Sequence, residues 1–108
     1  MAQLVIRQFD VVQNPDPSMR DRAPYLVVLQ SHFLQPLATL IVAPMIPAHI
    51  VFADGEIALP VRFQDQDFTL DVGLMANIDQ RRLRRAAGSV ADHDYVIRRA
   101  IDRIFTGF

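Results

Sequence analysis

DHDYVIRRAIDRIFTGF (residues 92–108) decides how this chain folds, because the spacing of apolar residues changes there from that of strands to that of a helix. Ile97, Ala100, Ile101, Ile104 and Phe105 fall on one face of a 3.6-residue period, with Arg98, Arg99, Asp102 and Arg103 largely opposite. The pattern predicts one amphipathic helix. Asp92 is expected to cap its start, since a carboxylate accepts from the unpaired N–H groups of a first turn, and Gly107 to end it in a left-handed conformation. Phe108, one residue past that glycine, has two readings: an apolar contact folded back on the last turn, or an anchor held out for a partner.

Upstream of Gly88 the apolar runs are short and bounded by turn residues. AQLVIRQF (2–9) alternates loosely and predicts a strand, followed by a loop over DVVQNPDPSMRDRAP (10–24), where Pro15, Pro17 and Pro24 stand among Asn and Asp. PYLVVLQS (24–31) and LIVAPMIP (40–47) are rich in β-branched residues and too short for buried helices, and their prolines mark breaks or edges. In HIVFADGEIALPVRF (49–63), Asp54-Gly55 between two apolar runs predicts a hairpin. FTLDVGLMANI (68–78) predicts one more strand, kinked at Gly73. About five short strands followed by a helix predict a mostly β domain: a small, strongly bent antiparallel sheet or barrel.

At 108 residues the chain is expected to form a single domain, 1–108. A hydrophobic content of 51% argues against disorder, and no run approaches the roughly 20 apolar residues of a membrane span. With no cysteine, disulfides and thiolate metal sites are excluded. No basic segment leads into an apolar signal core, so a cytoplasmic location is expected. The net charge of -1 hides an asymmetry: residues 78–108 carry seven Arg against four Asp. Four of these are Arg81, Arg82, Arg84 and Arg85 in RRLRR (81–85), which reads as a solvated face or as a contact for phosphates or an acidic partner.

Catalytic constellations are missing. His32, His49 and His93 lack metal-ligand spacing, and Ser31 and His32 point to opposite faces if they lie on a strand. No phosphate-cradling glycine loop is present, and DQDFTLD (65–71) lacks the glycine and terminal glutamate of a calcium loop. No cofactor and no metal are expected. A binding protein is the physically preferred class.

Several stretches, taken in order, resemble the CcdB family of toxins from bacterial toxin–antitoxin modules: YLVVLQSHFL (25–34), TLIVAPMIPA (39–48), LPV (59–61) with Phe68, MANI (75–78), and the ending AIDRIFTGF (100–108). The resemblance runs from about residue 24 to the end. It implies an SH3-like, strongly bent antiparallel sheet of the CcdB/MazF type with a C-terminal helix. It also implies a homodimer with Ile104 near the interface. The implied action is not enzymatic: such toxins bind the A subunit of DNA gyrase and trap its cleaved complex with DNA, and a CcdA-like antitoxin neutralises them. Neither sequence-specific nucleic-acid binding nor a membrane partner is implied.

Carried over one position at a time, the gyrase contacts implied are Ser31 and Phe33 beside the helix, Asp102 on its side, and Thr106, Gly107 and Phe108 at its end. Thr106 departs from the family, which places Trp before the glycine, so a cation–π contact of about 0.5–2 kcal/mol is lost there. Two other readings share the fold class: a MazF-like endoribonuclease, with the arginine cluster holding RNA phosphates, and a non-toxic homologue that keeps the dimeric fold.

Overall fold

In the computed structural model, which describes residues 6–31 and 38–107, the strands are β1 (Asp10–Gln13), β2 (Tyr25–Val28), β3 (Thr39–Pro47), β4 (Ala58–Phe63), β5 (Gln66–Asp71), β6 (Ala76–Asp79) and β7 (Gly88–Ser89). The helix α1 (Asp94–Thr106) follows them. All strand pairs are antiparallel, in the order β4-β5-β3-β2-β1-β7, with β6 also on β3.

The nine-residue β3 organises the sheet. One edge pairs with β2 through Val42–Met45. The other edge is shared, Thr39–Val42 facing β6 and Met45–Pro47 facing β5. Between those two partners the ladder is interrupted at residues 43–44, and Pro44, which has no N–H to give, sits in the gap. Of the prolines expected at breaks or edges, Pro44 marks this break, Pro47 ends the strand and Pro24 directly precedes β2, although Pro44 and Pro47 belong to the central strand and not to an edge one. The sheet is curled into a half-barrel.

Burial on both faces explains the unbroken apolar runs of β1 to β3. Val11, Val27, Leu29, Ala43 and Met45 join a core with Leu59, Phe68, Leu70, Val90, Ile97 and Ala100, which α1 helps to close. Val12, Leu26, Val28, Leu40 and Val42 turn to the opposite face and meet Ile6 and Leu83. Each fully buried side chain of this kind contributes about 1.5–3 kcal/mol. Leu83 is the buried member of the RRLRR run, and its neighbouring arginines stand exposed.

Several local features differ from the sequence expectation. Residues 2–5 lie outside the described residues, and residues 6–9 lead into a turn rather than a strand. Asp10 closes that turn: its carboxylate accepts from the Arg7 N–H at 2.8 Å. Phe9 takes φ 69° there, unusual for a bulky residue, and is held by burial and by the Arg98 guanidinium 5.2 Å from its ring centroid.

Asp54-Gly55 forms a turn but no hairpin. Asp54 Oδ1 accepts from the N–H groups of Glu56, Ile57 and Ala58, so the turn stabilises the start of β4 with no strand paired before it. The tight hairpin lies at Gln64-Asp65, with φ 49° and 61°, joining β4 to β5. The strand expected over 68–78 is two, separated by a 3-10 turn at Val72–Leu74 whose Gly73 N–H donates to Asp71 at 3.1 Å.

Asp92 does not cap the helix. It lies inside a preceding 3-10 turn, Ala91–His93, and its carboxylate contacts His93 Nδ1 at 3.0 Å. The helix starts at Asp94, one residue later than an Asp92 cap implies, and without a side-chain cap.

Candidate functional site

The last turn of α1 is built from backbone chemistry. Gly107 has φ 77° and ψ 12°, the left-handed geometry that ends a helix, and its N–H donates to the Arg103 carbonyl at 3.1 Å. A Cβ on Gly107 would meet nothing within 4 Å, so conformation rather than space selects glycine. The Thr106 hydroxyl donates back to the Asp102 carbonyl one turn earlier, so the side chain lies along its own helix. Arg103 reaches across to Glu56 Oε1 at 3.1 Å.

These bonds leave the Asp102, Ile104, Phe105 and Thr106 side chains on the surface. The apolar stripe read from the sequence splits in two. Ile97 and Ala100 are buried, whereas Phe105 is 71% exposed and Ile104 36%. Leu74, 59% exposed, adds apolar surface from the turn after β5.

Beside this turn lies a groove of about 120 Å³, lined by Leu29, Gln30, Ile41, Met75, Ile101 and Phe105. It joins the segment after β2 to the C-terminal half of α1. The lining is apolar except for Gln30, whose Nε2 is buried without a hydrogen-bond partner. Half-buried Ser31 directly follows Gln30.

Of the residues expected at the site, Asp102, Ile104, Thr106 and Gly107 thus share the helix end, and Ser31 follows a residue of the adjoining groove. Phe33 and Phe108 lie outside the described residues. Sequence reasoning assigned Phe105 to the buried face and missed Gln30, Ile41 and Met75 as groove residues. No sequence signal marked Phe105 as exposed, because its place in the final turn matters only once the extent of the sheet beneath it is known.

No helix of the described residues is long and apolar enough to cross a membrane. The family model described as CcdB protein matches residues 8–107. No curated protein matches the chain.

Proposed function

The chain belongs to the CcdB family, whose members are toxins that poison gyrase rather than enzymes, and from that premise we propose that it binds the A subunit of DNA gyrase through the end of α1. A homodimer places two such ends side by side. They wedge between the gyrase arms and favour the conformation in which DNA is cleaved, because a ligand shifts an equilibrium toward the state it binds better. Ser31, Phe33, Asp102, Thr106, Gly107 and Phe108 form the contact surface. A CcdA-like antitoxin releases the enzyme by covering the same toxin.

The observation that carries this reading is the left-handed ending at Gly107, which leaves large apolar side chains exposed beside a groove. Exposed apolar surface of this kind is energetically useful when a partner buries it. Thr106 cannot stack on an arginine, and its hydroxyl is committed to Asp102. Phe105 is the aromatic surface that this turn offers instead. Ile104 and Phe105 together supply apolar area for a second copy.

A cleavage assay with purified gyrase, ATP, supercoiled DNA and this protein tests the reading. Linear DNA is expected to accumulate with the full chain and to vanish with Phe108→Ala or without residues 107–108. If the full chain is folded and traps no cleaved DNA, the gyrase assignment is wrong for the enzyme tested.

A further inference from the structure

A second concave surface lies at the opposite end of β2 from the groove, about 13 Å away along the strand from Tyr25 to Leu29. It is a cleft of about 530 Å³ lined by Gln13, Arg20, Pro24, Tyr25, Arg84, Arg85 and Ala87. The run RRLRR supplies one wall, anchored by Leu83, and the 14–24 loop supplies the other. That loop is fixed by Asn14, whose Nδ2 donates to the Ala23 carbonyl at 2.8 Å, and Arg20 Nε donates to the Asn14 carbonyl at 3.2 Å.

The cleft is positive, with three arginines in its lining and a partial offset from the Asp16 carboxylate, which attracts Arg20 from the same loop. No acid lines it among the described residues, and none of their ion pairs includes Arg20, Arg84 or Arg85. Asp16, on the same loop, accepts from the Ser18 N–H at 3.0 Å and hydroxyl at 2.7 Å.

The cleft also contains an open strand edge. Pairing of β1 with β7 ends at Val11, whose carbonyl accepts from Ala87 at 2.7 Å on the outer side. Alternation along a strand therefore turns the backbone N–H and C=O of Gln13 to that same outer side, beyond the end of β7. A strand edge of this kind takes an extended peptide through main-chain hydrogen bonds.

We propose that this cleft binds an extended acidic peptide, which pairs with β1 at Gln13 and places alternate carboxylates against Arg20, Arg84 and Arg85. Arginine holds carboxylates through two parallel hydrogen bonds, and alternate side chains of a strand share one face. Pro24, Tyr25 and Ala87 give the intervening side chains an apolar floor. Nucleic acid fits less well. Single strands bind by stacking bases on free aromatic faces, and Tyr25, the aromatic residue here, packs edge-to-face with Phe63 and Phe68. A second copy docked cleft to cleft brings the same positive charges together, which repel. The inference stands on the cleft and does not depend on the gyrase reading.

Fluorescence anisotropy tests it, with the full-length protein and a labelled ten-residue peptide of alternating Glu and Val at physiological salt. Saturable binding is expected, weakened at least tenfold by Arg84→Glu with Arg85→Glu and, separately, by Arg20→Glu. All three positions are exposed, and circular dichroism checks the fold. A peptide N-methylated on alternate residues is expected to bind at least tenfold more weakly. Three results overturn the proposal: no binding at millimolar peptide, equal affinity for the charge-reversed proteins, or an oligonucleotide of equal charge binding as tightly as the peptide. Undiminished binding of the N-methylated peptide removes the strand-edge contact.

Discussion

Glu56 Oε1 accepts from Arg103 Nη1 at 3.1 Å, tying the connection between β3 and β4 to the last full turn of α1. The link is specific because Asp54 fixes the backbone at Glu56 through three hydrogen bonds, and because the carbonyl of Arg103 is the acceptor for Gly107. The pair is solvent-accessible, so Glu56→Gln is expected to change global stability by less than about 1 kcal/mol. Its effect falls on the helix end. Hydrogen exchange by NMR is expected to show faster exchange at the Gly107 amide with little change at Ala100, and equal protection in both proteins would remove the link.

Gly88 is constrained by a neighbour rather than by its own backbone angles. A Cβ there would stand 2.7 Å from Cε1 of Phe63, whose ring is packed by Tyr25 at a centroid distance of 5.3 Å. Gly88→Ala is therefore expected to lower stability by about 1–3 kcal/mol, the usual range for overpacking. Urea denaturation measures it, and an unchanged midpoint would show that Phe63 has room to move.

Ile104→Asp separates self-association from folding. As a partly exposed residue of a lone chain, Ile104 can accept a charge at a cost of about 0.5 kcal/mol. In the proposed homodimer the same charge would be buried. Sedimentation equilibrium is expected to give twice the chain mass for the parent protein and the single-chain mass for the variant. A parent protein that sediments as a monomer would remove the dimer from the proposal.

Acid is expected to weaken the fold through particular carboxylates. Asp79 is pulled from the ordinary 3.8 to about 2 by the side-chain and backbone hydrogen bonds of Arg81. Asp54 is lowered by the N–H groups of Glu56, Ile57 and Ala58, and Asp16 by the side chain and N–H of Ser18. The unfolded chain thus binds protons more readily than the folded one, so stability is held above about pH 4 and falls as the pH drops toward 2. Urea midpoints measured across that window are expected to decline, and to decline less in Asp79→Asn. An identical slope in the variant would show that Asp79 does not contribute.

The helix was readable because Ile97, Ala100 and Ile101 repeat on one face, and β2 and β3 because their β-branched runs are too short for anything else. Asp54-Gly55 misled because a turn's chemistry does not reveal whether the segments on either side pair. Gln64-Asp65 gave no warning, since the register of β4 on β5 imposes the positive φ values rather than residue type. At the candidate site, Gly107 was readable from its place after the last apolar residue. The exposure of Phe105 was not, because periodicity says which face is apolar and not how far the sheet beneath it reaches. Arg84 and Arg85 were visible as charge, but the cleft they line depends on Leu83 and on a loop distant in sequence.

The pairing of β1 with β7 joins Asp10 to Ser89 and Val11 to Gly88 across most of the chain. Contacts of such long sequence separation form late and slow the search for the native state. During synthesis, β1 to β3 emerge with both apolar faces uncovered and wait for residues made at the end to shield them. The half-made chain therefore exposes apolar surface until its last residues arrive, and the proposed contact surface at the end of α1 forms in the same late event that closes the sheet.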